Sequence, residues 1–456
     1  MLKSSLSLNI TLAIALLVPA LRASTADTLP DSPVYLGEIK RNEKGELVAV
    51  PIPVAAPPKV TVVDEVIVPV AEEIKVIRVG PAQPLHTIGA AAAIAKNGDT
   101  VEIEAGDYVG DVAIWKQDRL TIRGVDGRPR LIANGKSAEG KAIWIIRGGH
   151  ITIENIVFTG AQVSDRNGAG IRFERGNLVI RNCAFLDNEN GILAGSGGES
   201  LEIENSEFGR NGAGDGRSHN LYVNAIKSLK VTGSYFHHAN VGHLLKSRAA
   251  ENIIMYNRLS DETGQASYEL EFPDGGYAYV VGNVIQQSPN TENPTIIAFG
   301  MEGYKWPASQ LYLTFNTIVN DLPGRGTFLN VKPGAQKVIS MNNLLVGKGD
   351  WYIEGQRITK NVSSDKPYVD ATASSSASAI IVRNNFNTDG SAFAQASSYD
   401  YRVKKSALPR IKAVSMQPAN GFLLEPQREY VSPTGSQALI GSPAIPGALQ
   451  SRVLHP

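Results

Sequence analysis

The sequence predicts an all-β fold, a single solenoid in which each coil adds one rung to a parallel β-helix. A short phrase of alternating apolar and polar residues recurs along the chain, and most copies contain an asparagine. No long helical pattern separates the copies, which excludes a fold of alternating strands and helices. Glycine supplies 44 of the 456 residues, about 10% against a usual 7%, as expected for a chain with many turns.

The recurring phrase is first seen at residues 151–158, 178–185 and 201–208. Its asparagine-equivalent positions are 155, 182, 205, 233, 257, 283, 316 and 343, and seven of these eight hold asparagine. The alternation has the period of a half-buried strand, and we expect the copies to stack in parallel about 4.8 Å apart. Asparagine stacked at a turn hydrogen-bonds along the ladder and tolerates the left-handed conformation. The alignment drifts by one residue at Asn316, which we attribute to the longer insertion before it.

The charge balance argues against nucleic acid or an anionic membrane as a partner. The chain carries 44 basic and 44 acidic residues, so no global field draws a polyanion to it. Cys183 is the only cysteine, which excludes an internal disulfide and leaves a large core or a repeated ladder to hold the fold together.

The chain begins with features of a secretory signal peptide. Lys3 is followed by an apolar run from Leu6 to Pro19 and by small residues up to Ala26, the order of regions that such peptides share. An uncleaved membrane anchor is the alternative, but the run is shorter than the roughly 20 residues that a spanning helix needs. We therefore expect residues 1–26 to be cleaved and the protein to be exported to the periplasm or secreted, without a membrane span. We also expect it to be a monomer.

Composition divides the remaining chain into three parts. Residues 27–84 are rich in proline and valine and predict an extended linker. Residues 85–400 carry the repeat, and the amphipathic stretch from His86 to Lys96 predicts a short helix that caps the first rung. Residues 401–456 are expected to form a closing segment over the last coil.

The start of the repeat resembles a known entry into a β-helix. The helix is followed by Gly98–Tyr108 and Leu120–Gly124, and this order is similar to that of right-handed parallel β-helix proteins of the pectate-lyase-like superfamily. The resemblance covers roughly residues 85–350 and implies a single-stranded right-handed parallel β-helix. It specifies the fold and not the activity, because that superfamily holds lyases, hydrolases, epimerases and non-catalytic adhesins.

Ionisable residues are concentrated in the middle of the repeat. Aligning the second strand of each rung pairs Asn224 with Lys246 and Tyr222 with Leu244. The residues placed on one outer face, with neighbours about 5 Å apart, are Tyr222, Asn224, Lys246, Glu269 and Glu271. Such density on one side of a plain solenoid is typical of a carbohydrate groove. The simplest alternative is a solvated ion pair between Lys246 and Glu271. Four of the seven histidines flank this face: His219, His237, His238 and His243.

The segment around Lys246 also resembles the base-bearing segment of the β-helix alginate lyase branch. The resemblance implies that Lys246 acts as Brønsted base, with an arginine on the next rung, where this chain has Glu271. It also implies acidic metal ligands seven and five residues before the lysine, where this chain has Ala239 and Val241. A calcium cofactor is therefore possible but lacks its usual ligands, and Arg248 is the cation that could replace it.

These residues predict a polysaccharide lyase that cleaves an acidic exopolysaccharide by β-elimination. Lys246, with a pKa lowered by Arg248 and by close packing, would be the base, and Tyr222 or His219 would protonate the leaving oxygen. The residues expected to bind substrate are His237, His238, His243, Asn224, Glu269 and Glu271.

Other functions remain open from the sequence. The missing acidic ligands and next-rung arginine favour a non-catalytic protein that binds a polysaccharide or assists its export. Glu269 and Glu271 are two residues apart on one strand, a spacing compatible with the paired carboxylates of a glycoside hydrolase or with a calcium site. A zinc site is disfavoured because neighbouring residues His237 and His238 point apart on a strand and no tetrahedral Cys/His spacing exists.

Overall fold

The structure is a computed structural model that describes residues 37–41, 44, 47–51, 75–358, 371–375, 378–407 and 412–451. The predicted signal peptide, residues 1–26, lies outside these ranges, as does most of the predicted linker. The chain divides into a unit of residues 1–70 and a unit of residues 71–456. In the first unit, strands Gly37–Arg41 and Leu47–Pro51 form an antiparallel hairpin.

The second unit is a right-handed parallel β-solenoid of about 10 turns, which confirms the predicted fold class. Three long sheets run its length within the described residues, and each full turn contributes one strand to each sheet. The strands pair in parallel with the rungs before and after them, except for one antiparallel strand at an end of the first sheet and one at an end of the third. This arrangement leaves each sheet with an inner face toward the core and an outer face toward solvent.

Sheet 1 consists of Val76–Val79, Thr100–Glu104, Leu120–Val125, His150–Glu154, Gly176–Arg181, Gly198–Glu204, Ser228–Thr232, Glu251–Met255, Tyr277–Val281, Gln310–Thr314, Lys337–Met341, Ser378–Arg383 and Ala371–Ser375. Sheet 2 consists of Asp107–Val109, Arg130–Ile132, Val157–Thr159, Ala184–Leu186, Glu207–Gly209, Tyr235–His237, Arg258–Ser260, Val284–Gln287, Thr317–Asn320, Leu344–Val346 and Phe386–Thr388. Sheet 3 consists of Ala113–Trp115, Ala142–Ile146, Ala169–Phe173, Asn190–Ala194, Leu221–Val223, Leu245–Ser247, Leu270–Phe272, Thr295–Phe299, Gly326–Val331, Gly349–Ile353 and Gln356–Ile358.

The core is a set of stacked columns, because parallel pairing places similar inward residues above one another. Phe158, Phe185, Phe208 and Phe236 form one such column, with successive ring centroids 5.0, 4.7 and 4.6 Å apart and nearly parallel planes. All four side chains are completely buried. Each burial removes a large apolar surface from water, worth about 1.5 to 3 kcal/mol per side chain.

A second column consists of buried asparagines at the turn between sheets 1 and 2. Each amide nitrogen donates to the side-chain oxygen of the next rung, at 3.1 Å from Asn257 to Asn283, 3.0 Å from Asn283 to Asn316 and 3.0 Å from Asn316 to Asn343. The same oxygens accept backbone N–H groups at 2.9 Å. The turn therefore satisfies its polar groups without water.

The predicted asparagine alignment is wrong by one residue from Asn257 onward. Asn155 and Asn182 occupy the turn position that lies one residue before the position of Asn257. Both have a left-handed backbone there, and the side-chain amide of Asn182 donates to Asn155 Oδ1 at 3.1 Å. On the Asn257 rung that left-handed position is Tyr256. The offset begins on the rung of Asn257, where Asn252 occupies the inward position that Leu229 has on the rung before. The sequence had suggested that it begins at Asn316.

The N-terminal end is covered as the sequence predicted, although the first strand begins earlier. Helix Ile88–Ile94 starts at Thr87, whose side chain accepts a hydrogen bond from Ala90 N–H, and its Ile88 and Ala91 face the core. Strand Val76–Val79 already pairs with Thr100–Glu104. The solenoid thus starts within the stretch that composition assigned to the linker.

The segment after the last coil lies along the side of the solenoid rather than over its end. Its backbone makes hydrogen bonds with successively earlier rungs. Val414 O accepts from the side chain of Asn342, and Leu424 O accepts from that of Thr314. Gln427 N–H donates to Tyr256 Oη, and Gly435 N–H donates to Gly233 O. It therefore runs back past several rungs.

Small elements complete this segment and the chain before it. They are the hairpin strands Phe393–Gln395 and Asp400–Val403, the hairpin strands Arg428–Tyr430 and Ser436–Ala438, and the 3-10 turns Gly390–Ala392 and Ala396–Ser398. No helix in the described part of the chain is long and apolar enough to cross a membrane.

We expect Asn283→Ala to lower the free energy of unfolding by about 2 to 4 kcal/mol, because it leaves buried partners on two rungs unsatisfied. Asn283 donates to Ile254 O at 2.8 Å and accepts from Asn257 N–H at 2.9 Å. Chemical denaturation measures the loss. Asn290→Ala is the control, since Asn290 is exposed and its amide donates to Thr263 O; equal losses from the two changes would contradict a stabilising ladder.

Candidate functional site

The centre of the site is a column of three side chains on the outer face of sheet 3. Tyr222 pairs with Lys246, and Lys246 pairs with Glu271, on three successive rungs. The inward neighbours Leu221, Leu245 and Leu270 are completely buried and set this register. The structure thus brings the predicted phenol, lysine and one predicted carboxylate together.

The predicted column was misaligned by two residues at its first rung. It paired Asn224 with Lys246, whereas Asn224 lies past the strand and its side chain accepts a hydrogen bond from the backbone of Ala225. It also paired Tyr222 with Leu244, which is completely buried. Burying Leu221 and Leu245 in the same inner column determines the pairing that is found.

Lys246 is held by two carboxylates and a histidine supports one of them. Its Nζ lies 2.9 Å from Glu271 Oε2 and 3.0 Å from Glu302 Oε1. His243 Nε2 lies 2.8 Å from the same Glu271 oxygen. Because a carboxylate only accepts, we place the histidine hydrogen on Nε2. His243 Nδ1 is buried without a hydrogen-bond partner among the described residues.

Arg248 connects the phenol to the acidic side of the site. Its Nε donates to Tyr222 Oη at 3.0 Å and its Nη1 to Asp274 Oδ1 at 2.6 Å. Its Nη2 lies 2.7 Å from Glu302 Oε2. Trp306 Nε1 donates to the backbone oxygen of Arg248 at 3.0 Å. Four groups therefore fix the position of this arginine.

Sequence reasoning missed three members of this network: Asp274, Glu302 and Lys305. Asp274 follows the strand Leu270–Phe272, and the other two lie on the loop after Thr295–Phe299. Lys305 Nζ lies 2.9 Å from Asp274 Oδ1. The signal was present as the spacing of 33 residues between positions 283 and 316, the longest in the repeat, because an inserted loop at this rung folds back over the outer face.

The electrostatics of the site contradict the expectation of a lysine with a lowered pKa. Burial opposes the charged form of Lys246, but the adjacent Glu271 and Glu302 carboxylates outweigh it and raise the pKa of Lys246. Burial likewise opposes ionisation of Glu271, yet His243 and Lys246 hold the pKa of Glu271 below its ordinary value. Arg248 was expected to repel the lysine proton, but its charge is matched by Asp274 and Glu302.

His219 lies beneath the phenol of Tyr222 rather than on the exposed outer surface. It is almost completely buried, its ring stacks on Tyr222 with centroids 5.6 Å apart, and its Nδ1 accepts the backbone N–H of His243 at 3.0 Å. Burial and the nearby charges of His243 and Lys246 lower the pKa of His219 well below its ordinary value. A neutral, covered ring of this kind positions Tyr222 and does not supply a proton to a leaving group.

His237 and His238 belong to a different face, so the predicted cluster of four histidines divides into two pairs. His237 ends a strand of sheet 2, where its Nε2 lies 3.2 Å from Glu207 Oε1. His238 adopts a left-handed backbone, and this bend brings its Nδ1 to 2.8 Å from that of His237. His237 and His238 therefore lie at sheet 2, whereas Lys246 lies on sheet 3, and the prediction that both flank the Lys246 face was wrong.

Glu269 is not on the outer face. It is completely buried, and neither of its carboxylate oxygens has a hydrogen-bond partner within the described residues. Burial and the nearby Asp261 raise the pKa of Glu269 well above its ordinary value. Because one member lies in the interior and the other is paired with Lys246, Glu269 and Glu271 do not form the carboxylate pair of a glycoside hydrolase, and this alternative was wrong.

The residues at the expected calcium position do not fit calcium. Ala239 and Val241 carry hydrocarbon side chains and supply no oxygen ligand. In the part of the chain that the structure describes, no group of three or more His, Cys, Asp and Glu side chains is arranged to hold a metal ion.

Comparison with family models agrees with the architecture. Residues 113–285 match the family model described as a right handed beta helix region. A solved structure of a PL6 family alginate lyase is similar over 77% of this chain and 47% of its own, with a TM-score of 0.33 and 14% sequence identity. This chain therefore spans about half the length of that one. No curated protein matches.

We expect Glu271→Gln to lower stability near neutral pH by about 3 to 5 kcal/mol, because it leaves Lys246 without its most buried partner. The pKa of Glu271 is lowered in the folded state, so its contribution is present above the pKa of an unfolded glutamate and is lost as the pH falls below that value. The deficit of the variant should therefore shrink in acid. Denaturation of both proteins from pH 7 to about pH 3 measures it, and a deficit independent of pH would contradict the ion pair.

Proposed function

We propose that this protein binds an acidic polysaccharide on the outer face of sheet 3 and cleaves it by β-elimination. The observation that carries the proposal is the hydrogen bond from Arg248 Nε to Tyr222 Oη at 3.0 Å. Tyr222 lies directly beside Lys246 on the neighbouring rung. A guanidinium, a phenol and an ammonium lie together on one face, each held by partners. Elimination next to a carboxylate requires a fixed cation, an acid and a base, and Arg248, Tyr222 and the neutral amine form of Lys246 would fill these roles.

The reaction makes defined demands on a site. A base removes the proton from the carbon next to the uronate carboxylate, the electron pair forms a double bond, and the neighbouring carbon–oxygen bond breaks. The leaving oxygen takes a proton from an acid, so the site returns to its starting state once base and acid exchange protons with water. Charge accumulates on the carboxylate in the transition state, and fixed cations stabilise it.

The side chains of this face suit those roles. Arg248 is charged at every relevant pH and would neutralise the carboxylate. Tyr222 Oη accepts its hydrogen bond from Arg248, which leaves the phenolic hydrogen to donate to the leaving oxygen. Lys246, the next residue of the same column, would be the base. His219 would keep the phenol ring in position from below.

Binding without cleavage is the second candidate, and one observation favours it. Glu271 and Glu302 raise the pKa of Lys246, so at neutral pH almost all of this lysine carries its proton and is unable to accept another. A protonated lysine beside an arginine still binds carboxylates. A protein that holds or guides an acidic polysaccharide would need no more than this.

We expect the purified protein to release unsaturated ends from at least one polymer in a panel of uronates, detected by ultraviolet absorbance. Lys246→Ala should then reduce the rate by a factor of about 10² to 10⁴, the usual contribution of a positioned base. Retention of a polymer in affinity electrophoresis without any shortening of its chains would identify the binding protein instead. Absence of both retention and cleavage would contradict the proposal.

Lys230→Ala is the matched control for that experiment. Lys230 lies on sheet 1, half-exposed and paired with Glu202, so the change removes the same charge and an ion pair from another face. It should leave the rate unchanged. Equal losses from both lysine variants would indicate a general charge effect.

We expect the pH profile of the wild-type rate to identify the base. If Lys246 accepts the proton, the active fraction is the deprotonated one, and a raised pKa makes that fraction grow about tenfold per unit between about pH 7 and pH 9. Initial rates on a cleaved uronate polymer measure this slope. A rate that reaches a plateau near neutral pH would exclude Lys246 as the base.

A further inference from the structure

Glu302 differs from the other two carboxylates of the network in its exposure. Its side chain is 43% exposed, whereas those of Glu271 and Asp274 are 4% and 3% exposed. The two cations that it contacts, Lys246 and Arg248, are 13% and 14% exposed. Glu302 therefore lies on the solvent side of two cations whose other partners are beneath them.

Without Glu302, the charged side chains of this network have one positive charge in excess. Lys246, Arg248 and Lys305 supply three cations, and Glu271 and Asp274 supply two anions. Glu302 is the third anion. Its Oε1 lies 3.0 Å from Lys246 Nζ and 2.9 Å from Arg248 Nη2, and its Oε2 lies 2.7 Å from Arg248 Nη2. When its carboxylate is withdrawn, the remaining groups carry a net charge of +1 (three cations minus two anions), which suits one monovalent carboxylate.

The side chain of Glu302 can leave while its backbone stays in place. Its N–H donates to Pro273 O at 3.0 Å, and Lys305 N–H donates to Asp274 O at 2.9 Å. Trp306 fixes the same loop to the backbone of Arg248. The side chain of Glu302 is partly exposed, so solvent adjoins it. Rotation about its own bonds is sufficient to expose the cations.

We infer that Lys246 and Arg248 form a binding subsite for one carboxylate group of a uronate, and that Glu302 fills this subsite until a ligand displaces it. The inference rests on the proposed function for the choice of ligand and deepens it. Protonated Lys246 and Arg248 hold the carboxylate when the ligand binds, and Lys246 must lose its proton before it acts as the base. Glu302 is a competitor of the same chemical type as the ligand. It lowers the apparent affinity by the fraction of molecules in which it occupies the subsite.

Glu302→Gln tests the subsite with glucuronate as the probe. If Glu302 occupies the subsite in about nine molecules of ten, the variant should bind sodium glucuronate about tenfold more tightly than the wild type. Calorimetry measures the affinity, and the rise of the melting temperature with glucuronate gives a second measure. Glucose and sodium chloride at matched ionic strength should produce no such rise.

Two further variants keep the test decisive. Glu302→Asp shortens the side chain and should give an intermediate gain, which serves if the glutamine variant folds poorly. Glu292→Gln removes one negative charge from an exposed position between Thr291 and Asn293 and should leave glucuronate affinity at the wild-type value. An equal gain from Glu292→Gln would overturn the inference in favour of a net-charge effect.

The outcomes separate this inference from the proposed function. Equal affinity of the wild type and both Glu302 variants for glucuronate, or no binding by any of them, overturns the subsite. If the wild type still cleaves a uronate polymer in that case, the proposed function stands alone. If the Glu302 variants gain glucuronate affinity while no polymer is retained or cleaved, the subsite stands and the proposed function fails.

Discussion

The register of the inner column Leu221, Leu245 and Leu270 is the constraint on which the site depends. Parallel strands stack residue on residue, so burying these leucines in one column also places Tyr222, Lys246 and Glu271 in one column outside. A shift by one residue would turn the apolar side chains to solvent, at a cost of roughly 1.5 to 3 kcal/mol each. The outer chemistry is therefore held in place by the interior.

The buried asparagines maintain this register over many rungs. Each amide of Asn257, Asn283 and Asn316 bonds both to the side chain of the next rung and to backbone. Because a mismatched rung would leave buried amide groups unpaired, the ladder penalises any slip. A solenoid with a single buried cysteine and no disulfide within its described residues relies on such repeated contacts.

The same partners that hold Lys246 and Arg248 also limit what they do. Two cations on an open face would be mobile, and the neighbouring carboxylates hold them in place. Two of these carboxylates, Glu271 and Glu302, also raise the pKa of Lys246. Binding of an anionic ligand gains from this order, because little freedom is lost when the ligand arrives. Proton abstraction by Lys246 becomes harder, because a raised pKa keeps the lysine protonated.

The sequence by itself determined the solenoid and the capping helix, because period and spacing are local properties of a chain, and it predicted a site around Lys246. It also indicated Tyr222, Lys246, Arg248 and Glu271 as neighbours. Only the tertiary structure decided the details. Burial drew Glu269 inward, a left-handed turn moved His238 to another face, and an inserted loop brought Glu302 over Lys246. These outcomes depend on which residues neighbouring rungs bury together and on contacts such as that between Lys246 and Glu302, which are 56 residues apart in the chain. The alternation of residues along a strand carries no information about either.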